Sequence, residues 1–234
     1  MNKPTLIFDY DGCIFDSPQA ICKTYDLLYK NHANFTPSST LPLDKYSMKD
    51  VCPLCDNVLD LFEMKLFFEY LEPFENAIDI IKLLAETFDI TIVSVGTPEN
   101  IKLKIDSISY WFGKLVKFVP IISYDRQCKM DKSIINSNMK ICLDDSELCL
   151  ESFDTSSSLS RGIKYCGSVP TNHNIIYGKE YEWNTNNPNN YPRCKNWLEV
   201  YNYIILLTHG SNGLDEDILN HNILATFNND IIYK

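Results

Sequence analysis

Thr5-Leu6-Ile7-Phe8-Asp9-Tyr10-Asp11-Gly12 is the stretch that decides how this chain is read. An apolar run, Leu6 to Phe8, stops at two carboxylates one residue apart and then a glycine. Such a run reads as a buried strand of a parallel sheet. In an open α/β sheet, ligands bind in the crevice beyond the carboxyl ends of the strands. Asp9 and Asp11 would therefore project into one pocket, and Gly12 would let the chain turn away. Two acids so close repel each other, and a divalent cation is the usual means of keeping both ionised. An ordinary polar turn after a strand fits the same residues equally well, so the stretch must be weighed with the rest of the chain.

Outward from it, strands and helices alternate. Ser17 to Lys30 reads as a helix, with Ser17 as cap and Pro18 in the first turn. Asn31 to Tyr46 is loop-like, and Val58 to Tyr70 has helical apolar spacing through Leu59, Phe62, Leu66, Phe67 and Tyr70. Pro73 opens the next helix, which runs through Ala85. Ile90 to Val93 is a second buried strand, ending in the polar turn Ser94-Val95-Gly96-Thr97, and Pro98 starts another helix towards Phe112. Phe118 to Ile122 and Lys140 to Leu143 are expected as the third and fourth strands, with a short helical piece over Lys129 to Ile135 between them. Gly162 to Tyr165 would be a fifth strand, residues 168–196 a long loop, and Asn196 to about Thr208 a helix. This order implies a three-layer, Rossmann-like, mostly parallel sheet core with helices on both faces. Residues 17–72 form a small, mainly helical cap inserted after the first strand. The core would comprise residues 1–16 and 73–210, and residues 211–234 a C-terminal tail.

Composition narrows the function. The chain has 234 residues, 45% hydrophobic and 22% charged, which suits a globular domain with an ample core. A net charge of −10 argues against a nucleic-acid polymer or an anionic membrane as partner. A small anionic substrate remains compatible, because a local metal and lysine can outweigh the global field. A signal-peptide pattern is not visible and apolar runs are too short to span a bilayer, so a cytoplasmic location is expected. Nine cysteines are scattered along the chain. Only Cys52-Pro53-Leu54-Cys55 has metal or redox spacing, without a second such pair, and buried reduced thiols are the expected reading.

Three expected strand ends carry polar groups: Asp9 with Asp11, Ser94 with Thr97, and Asp144 with Asp145; Lys132 lies between the last two. Taken singly, Ser94 is a helix cap, Lys132 a surface lysine, and Asp144-Asp145 a polar turn. Taken in this order, they resemble the haloacid dehalogenase (HAD) superfamily of Mg²⁺-dependent phosphohydrolases, whose four motifs match Asp9-Tyr10-Asp11-Gly12, Ser94, Lys132 and Asp144-Asp145. The resemblance covers residues 5 to about 155. Within the superfamily the chain is most similar to the 5′(3′)-deoxyribonucleotidase branch, on Phe67 to Pro73, Asp131-Lys132-Ser133, Trp111-Phe112-Gly113 and Asn196 to Val200.

The resemblance implies a phosphate monoester substrate, most simply a nucleoside monophosphate, and hydrolysis through an aspartyl-phosphate. Asp9 would be the nucleophile and Asp11 the acid–base group. Ser94, or Thr97, and Lys132 would hold the phosphate. Mg²⁺ would sit on Asp9, the Asp11 carbonyl, and Asp145 or Asp144. Phe67, Phe68 or Tyr70 of the cap could stack on a base, and a homodimer is compatible. Cys13 stands where the superfamily usually has Thr or Val. Asp16-Ser17 is also similar to phosphoglycolate-phosphatase-like members, which keeps another small phosphate metabolite open, as is a non-catalytic binding protein on the same fold.

Overall fold

A computed structural model describes residues 3–38, 48–124, 131–135, 140–146, 148–152, 173–177 and 191–209. Strand β1 (Thr5–Asp9) is the hub. It pairs in parallel with β2 (Asp89–Gly96) on one side and with β4 (Ile141–Asp144) on the other. β3 (Lys117–Ile122) extends the sheet beyond β2, and β5 (His173–Tyr177) and β6 (Arg193–Cys194) extend it beyond β4. The order is β3-β2-β1-β4-β5-β6, parallel at every pairing. The chain steps outward from β1 to β3, then returns to the far side of β1, so strand order reverses at β1. That switch is where an open sheet leaves a crevice for ligands.

Period-two alternation sends successive residues of each central strand to opposite faces. Leu6, Phe8, Ile90, Ile92, Ile141 and Leu143 join one buried cluster with α4 (Ala77–Ala85), the end of α5 (Pro98–Phe112), and α6 (Trp197–His209). Ile7, Val93 and Cys142 point to the other face, with Leu150 of the helical residues 148–152. The two clusters are the two interfaces of a three-layer α/β core, as expected from the strand–helix alternation. Trp197 binds the layers at the hub: its ring meets Phe8 edge-on at 5.3 Å, and its Nε1 donates to the Cys13 carbonyl at 3.0 Å.

The insertion leaves and rejoins the core at one place. Phe15 bridges both Asp11 and Pro73, while Asp16 N donates to the Glu72 carbonyl and Phe74 N to the Ile14 carbonyl, each at 2.9 Å. Between these points lie α1 (Ser17–Tyr29), α2 (Leu59–Phe62) and α3 (Lys65–Tyr70).

Several local expectations are corrected. α1 is capped by Asp16, whose side chain accepts from Gln19 N at 3.0 Å; the Ser17 hydroxyl is used elsewhere. The single helix over Val58 to Tyr70 is two, because Met64 is extended (φ −89°, ψ 139°). Pro73 lies in the bridge to Phe15 and not in a helix: α4 begins only after Asn76, which takes a left-handed φ of 63°. β2 runs on through Ser94 to Gly96. Residues 132–135 form a turn and not a helix, while 129–130 lie outside the described residues. β5 and β6 fall within the stretch expected as loop, whereas Gly162 to Tyr165 and the tail from 211 lie outside the described residues. Among the described residues no helix is long and apolar enough to cross a membrane.

Candidate active site

The register of the sheet assembles the site. Phe8 pairs with Leu143, so Asp9 and Asp144, the next residues, emerge side by side; Asp9 pairs with Val93, so Ser94 emerges beside them. A cavity of about 400 Å³ opens over these ends, lined by Asp9, Asp11, Ser94, Thr97, Lys132 and Asp145 from the core. Its far wall, Ile21, Met48, Val58, Leu59 and Phe62, comes from the insertion, with Asp56 and Asn57 as polar groups.

Asp9 is 5% exposed and Lys132 1%. The Lys132 ammonium donates to the Asp9 carboxylate and, at 2.5 Å, to Asp144 Oδ2. Burial pushes the Asp9 carboxyl up to about 7; Lys132 opposes that shift, and the neighbouring Asp144 and Asp11 add to it. Burial would also favour the neutral amine at Lys132, but Asp144 and then Asp9 outweigh it and hold this ammonium well above the ordinary lysine value. Asp144 is fully buried, and its Oδ1 accepts from Ser146 N at 2.9 Å, so both its oxygens are engaged in holding the loop and the lysine.

Asp145 faces a different neighbour set. One carboxylate oxygen each from Asp9 and Asp145 and the Cys13 thiol lie within 4.8 Å of one another. Burial, then Asp145, Asp9 and Asp144, push the Cys13 thiol well above its usual range, which leaves the two carboxylates as the anionic donors. Oxygen donors of this kind suit a hard divalent cation. Charge agrees: Asp9, Asp11, Asp144 and Asp145 meet the ammonium groups of Lys132 and Lys104 at these strand ends, an excess of negative charge that a cation would offset. Gly12 makes the approach of Asp145 feasible. Its φ is +71°, and a Cβ there would stand 2.5 Å from Asp145 Oδ2.

Asp11 points away from this cluster. Its Oδ1 accepts from the Ser17 hydroxyl at 2.6 Å; its Oδ2 accepts from Ser94 Oγ at 3.3 Å and from the Lys104 ammonium. Thr97 instead caps α5, accepting from Asn100 N at 3.3 Å. The structure thus brings Asp9, Asp11, Ser94, Thr97, Lys132 and Asp145 to one cavity, with Asp144 directly behind Lys132. It does not bring Phe67, Phe68 or Tyr70 to the cavity wall. Phe67 is fully buried in the insertion, its ring tilted against Phe62 at 4.9 Å and edge-on to Phe68 at 5.0 Å, and Phe62 is the aromatic that reaches the cavity. Cys52 and Cys55 are buried free thiols within the insertion's core.

Sequence reasoning passed over Lys104. In Ile101-Lys102-Leu103-Lys104 it looks like one more solvated lysine, yet it is 1% exposed and belongs to the site. The available signal was its spacing: Lys104 lies one turn after Ile101, on the buried stripe of α5 that continues to Ile108.

No family model matches the chain, and no curated protein matches it in sequence. Solved structures do match its fold. YfnB of Bacillus subtilis, designated a HAD-hydrolase and solved bound to magnesium, aligns with a TM-score of 0.57 at 15% identity, over 87% of this chain and 99% of its own. A Clostridium acetobutylicum protein designated a predicted phosphatase aligns at 0.55 with 18% identity, over 88% of this chain and 100% of its own. A protein of Lactobacillus delbrueckii subsp. bulgaricus, assigned as a phosphoglycolate phosphatase, aligns at 0.53 with 12% identity, over 87% and 99%. The chain has the fold of the HAD-superfamily hydrolases.

Proposed function

We propose that the chain is a Mg²⁺-dependent phosphatase that hydrolyses a phosphate monoester through an aspartyl-phosphate on Asp9. The observation that carries this reading is the convergence of Asp9, Asp11, Ser94, Lys132 and Asp145 on one cavity at the strand-order switch. Each supplies a group that phosphoryl transfer needs.

Asp9 attacks the phosphorus in line and is held for this by Lys132, which is held in turn by Asp144. Asp11, two residues further on, protonates the leaving alcohol and later takes a proton from the water that attacks the aspartyl-phosphate. Ser94, in preference to Thr97, donates to a non-bridging oxygen, because its hydroxyl stands at the strand end beside Asp11 and the Lys104 ammonium. Asp9, the Asp11 carbonyl and Asp145 would hold Mg²⁺, with Asp144 serving Lys132. When bound, the ion offsets the carboxylate charge so that an anionic nucleophile can approach an anionic phosphate. Residues 17–72 act as the cap that excludes water and selects the leaving group.

For the leaving group we propose a nucleoside, in a (deoxy)ribonucleoside monophosphate. The apolar wall of Ile21, Met48, Val58, Leu59 and Phe62 in a cavity of about 400 Å³ suits a base and sugar better than a two-carbon acid. Phe62 takes the place that the sequence suggested for Phe67, Phe68 or Tyr70. A second reading, a smaller phosphate metabolite, draws on the fold shared with the protein assigned as a phosphoglycolate phosphatase. A panel of nucleoside monophosphates, phosphoglycolate and hexose phosphates with Mg²⁺ discriminates them. Nucleotides should have the highest kcat/KM, and faster turnover of phosphoglycolate or a hexose phosphate would reverse the choice.

A further inference from the structure

The cavity holds a second buried ammonium that belongs to none of the four motifs. Lys104 reaches it from α5, and its Nζ donates to Ser94 Oγ at 2.8 Å and to Asp11 Oδ2, with the Tyr10 ring centroid 5.1 Å away. A lysine withdrawn this far from water is costly to bury unless it is compensated, so its placement needs a reason. The two lysines of the site are not equivalent. Lys132 is shared between the carboxylates of Asp9 and Asp144, whereas among the described residues the ion-pair partner of Lys104 is Asp11.

Lys104 and Ser94 converge on one oxygen, Asp11 Oδ2. A hydroxyl and an ammonium aimed at a single anionic oxygen are what a non-bridging phosphate oxygen requires. Ser17 holds the other oxygen, Asp11 Oδ1, from the insertion side. If the two donors on Oδ2 were drawn off, Asp11 would still be fixed by Ser17 and would have one oxygen released to face a leaving group.

On the reading that this cavity takes a phosphate monoester, we infer that Lys104 is a phosphate-binding residue whose resting partner is Asp11. The arriving phosphate takes Lys104 and Ser94 from Asp11, and so releases the acid–base carboxylate only when substrate is in place. A phosphate dianion competes for these donors with more charge than the single carboxylate it displaces. The exchange involves no bond-making step; it is a change of hydrogen-bond partners.

The test is calorimetric titration of inorganic phosphate, with Mg²⁺ present, into the full chain and into K104M, D11N and the double variant. Thermal unfolding of each checks that it folds. K104M should bind phosphate at least about tenfold more weakly, the loss of a charge-assisted contact. D11N should bind it several-fold more tightly, because Lys104 no longer has a charged competitor, and this gain should vanish in the double variant. Equal affinity in wild type and K104M, or a gain from D11N that persists without Lys104, overturns the inference. Should K104M fail to fold, D11N retains the native lysine and decides alone: unchanged or weaker binding there overturns it. A wild-type chain that hydrolyses monoesters without binding phosphate overturns this inference and spares the phosphatase reading. One that does neither overturns both.

Discussion

Asp9 is a carboxylate in a place that does not favour charge. Burial and the neighbouring Asp144 and Asp11 all press it towards the neutral form, and Lys132 is the counter-ion that resists. Such a residue is kept for what it does. D9N should abolish phosphatase turnover, by roughly 10⁴-fold or more as for other nucleophile deletions. Without added Mg²⁺ its melting temperature should equal or exceed that of wild type, because a buried charge has been removed. A drop of several degrees would show that the carboxylate stabilises the fold. D11N should fold normally and lose about 10²–10⁴-fold in kcat, the span of general acid–base catalysis. Retention of near-wild-type kcat would remove Asp11 from that role. Gly12 is the third single residue on which the site turns. G12A combines a left-handed φ with a Cβ 2.5 Å from Asp145 Oδ2, so the carboxylate must shift. It should weaken Mg²⁺ binding in a calorimetric titration while leaving the secondary structure intact by circular dichroism.

At the scale of elements, position in the sheet does most of the work. β1 sits between β2 and β4, so three strand ends are neighbours without any help from loops. α6 supports this arrangement from a distance in sequence: Trp197 packs on Phe8 and donates to the carbonyl of Cys13, inside the loop that carries Asp11 and Gly12. W197F keeps most of the packing but leaves that carbonyl without its indole donor, and should cost about 1–3 kcal/mol in denaturant unfolding. W197A adds a cavity and should cost about 3–5 kcal/mol. An effect of W197A within experimental error would mean that α6 is not coupled to the hub. The central strands were legible because each is a short apolar run ended by polar residues, and a run of that kind has few other uses. β5 was hidden because His173-Asn174-Ile175-Ile176-Tyr177 lies within an Asn- and Pro-rich stretch, and its place depends on pairing with β4. The break at Met64 and the left-handed Asn76 leave no mark on apolar spacing. The four motifs could be read from strand ends, but Lys104 could not: its burial is decided by Asp11 and Ser94, residues about 90 and 10 positions away that only folding brings near.

For the molecule as a whole, the thiols set an upper limit on pH. Burial pushes Cys52 and Cys194 up to about 12 and holds Cys13 and Cys149 well above the ordinary thiol value of 9.0. Between about pH 9 and pH 12 the folded chain therefore keeps protons that the unfolded chain releases. The native state then binds more protons, so stability is full below the ordinary thiol range and falls as pH rises through it. Melting temperature should decline steadily from pH 9 upward, and an unchanged value to pH 11 would contradict the burial of these groups. The same fold carries an insertion whose ends are paired at Phe15 and Pro73, next to Asp11, which sets the wall of the cavity directly against its chemistry. That closeness is what a phosphatase acting through Asp9 would use to match its leaving group to its nucleophile. The most direct measurement is release of inorganic phosphate from a panel of phosphate monoesters by wild type and D9N, with and without Mg²⁺. Wild type in Mg²⁺ should turn over at least one nucleoside monophosphate, and that turnover should be lost on chelation and in D9N. Equal phosphate release by wild type and D9N, or none by wild type across the panel, would contradict it.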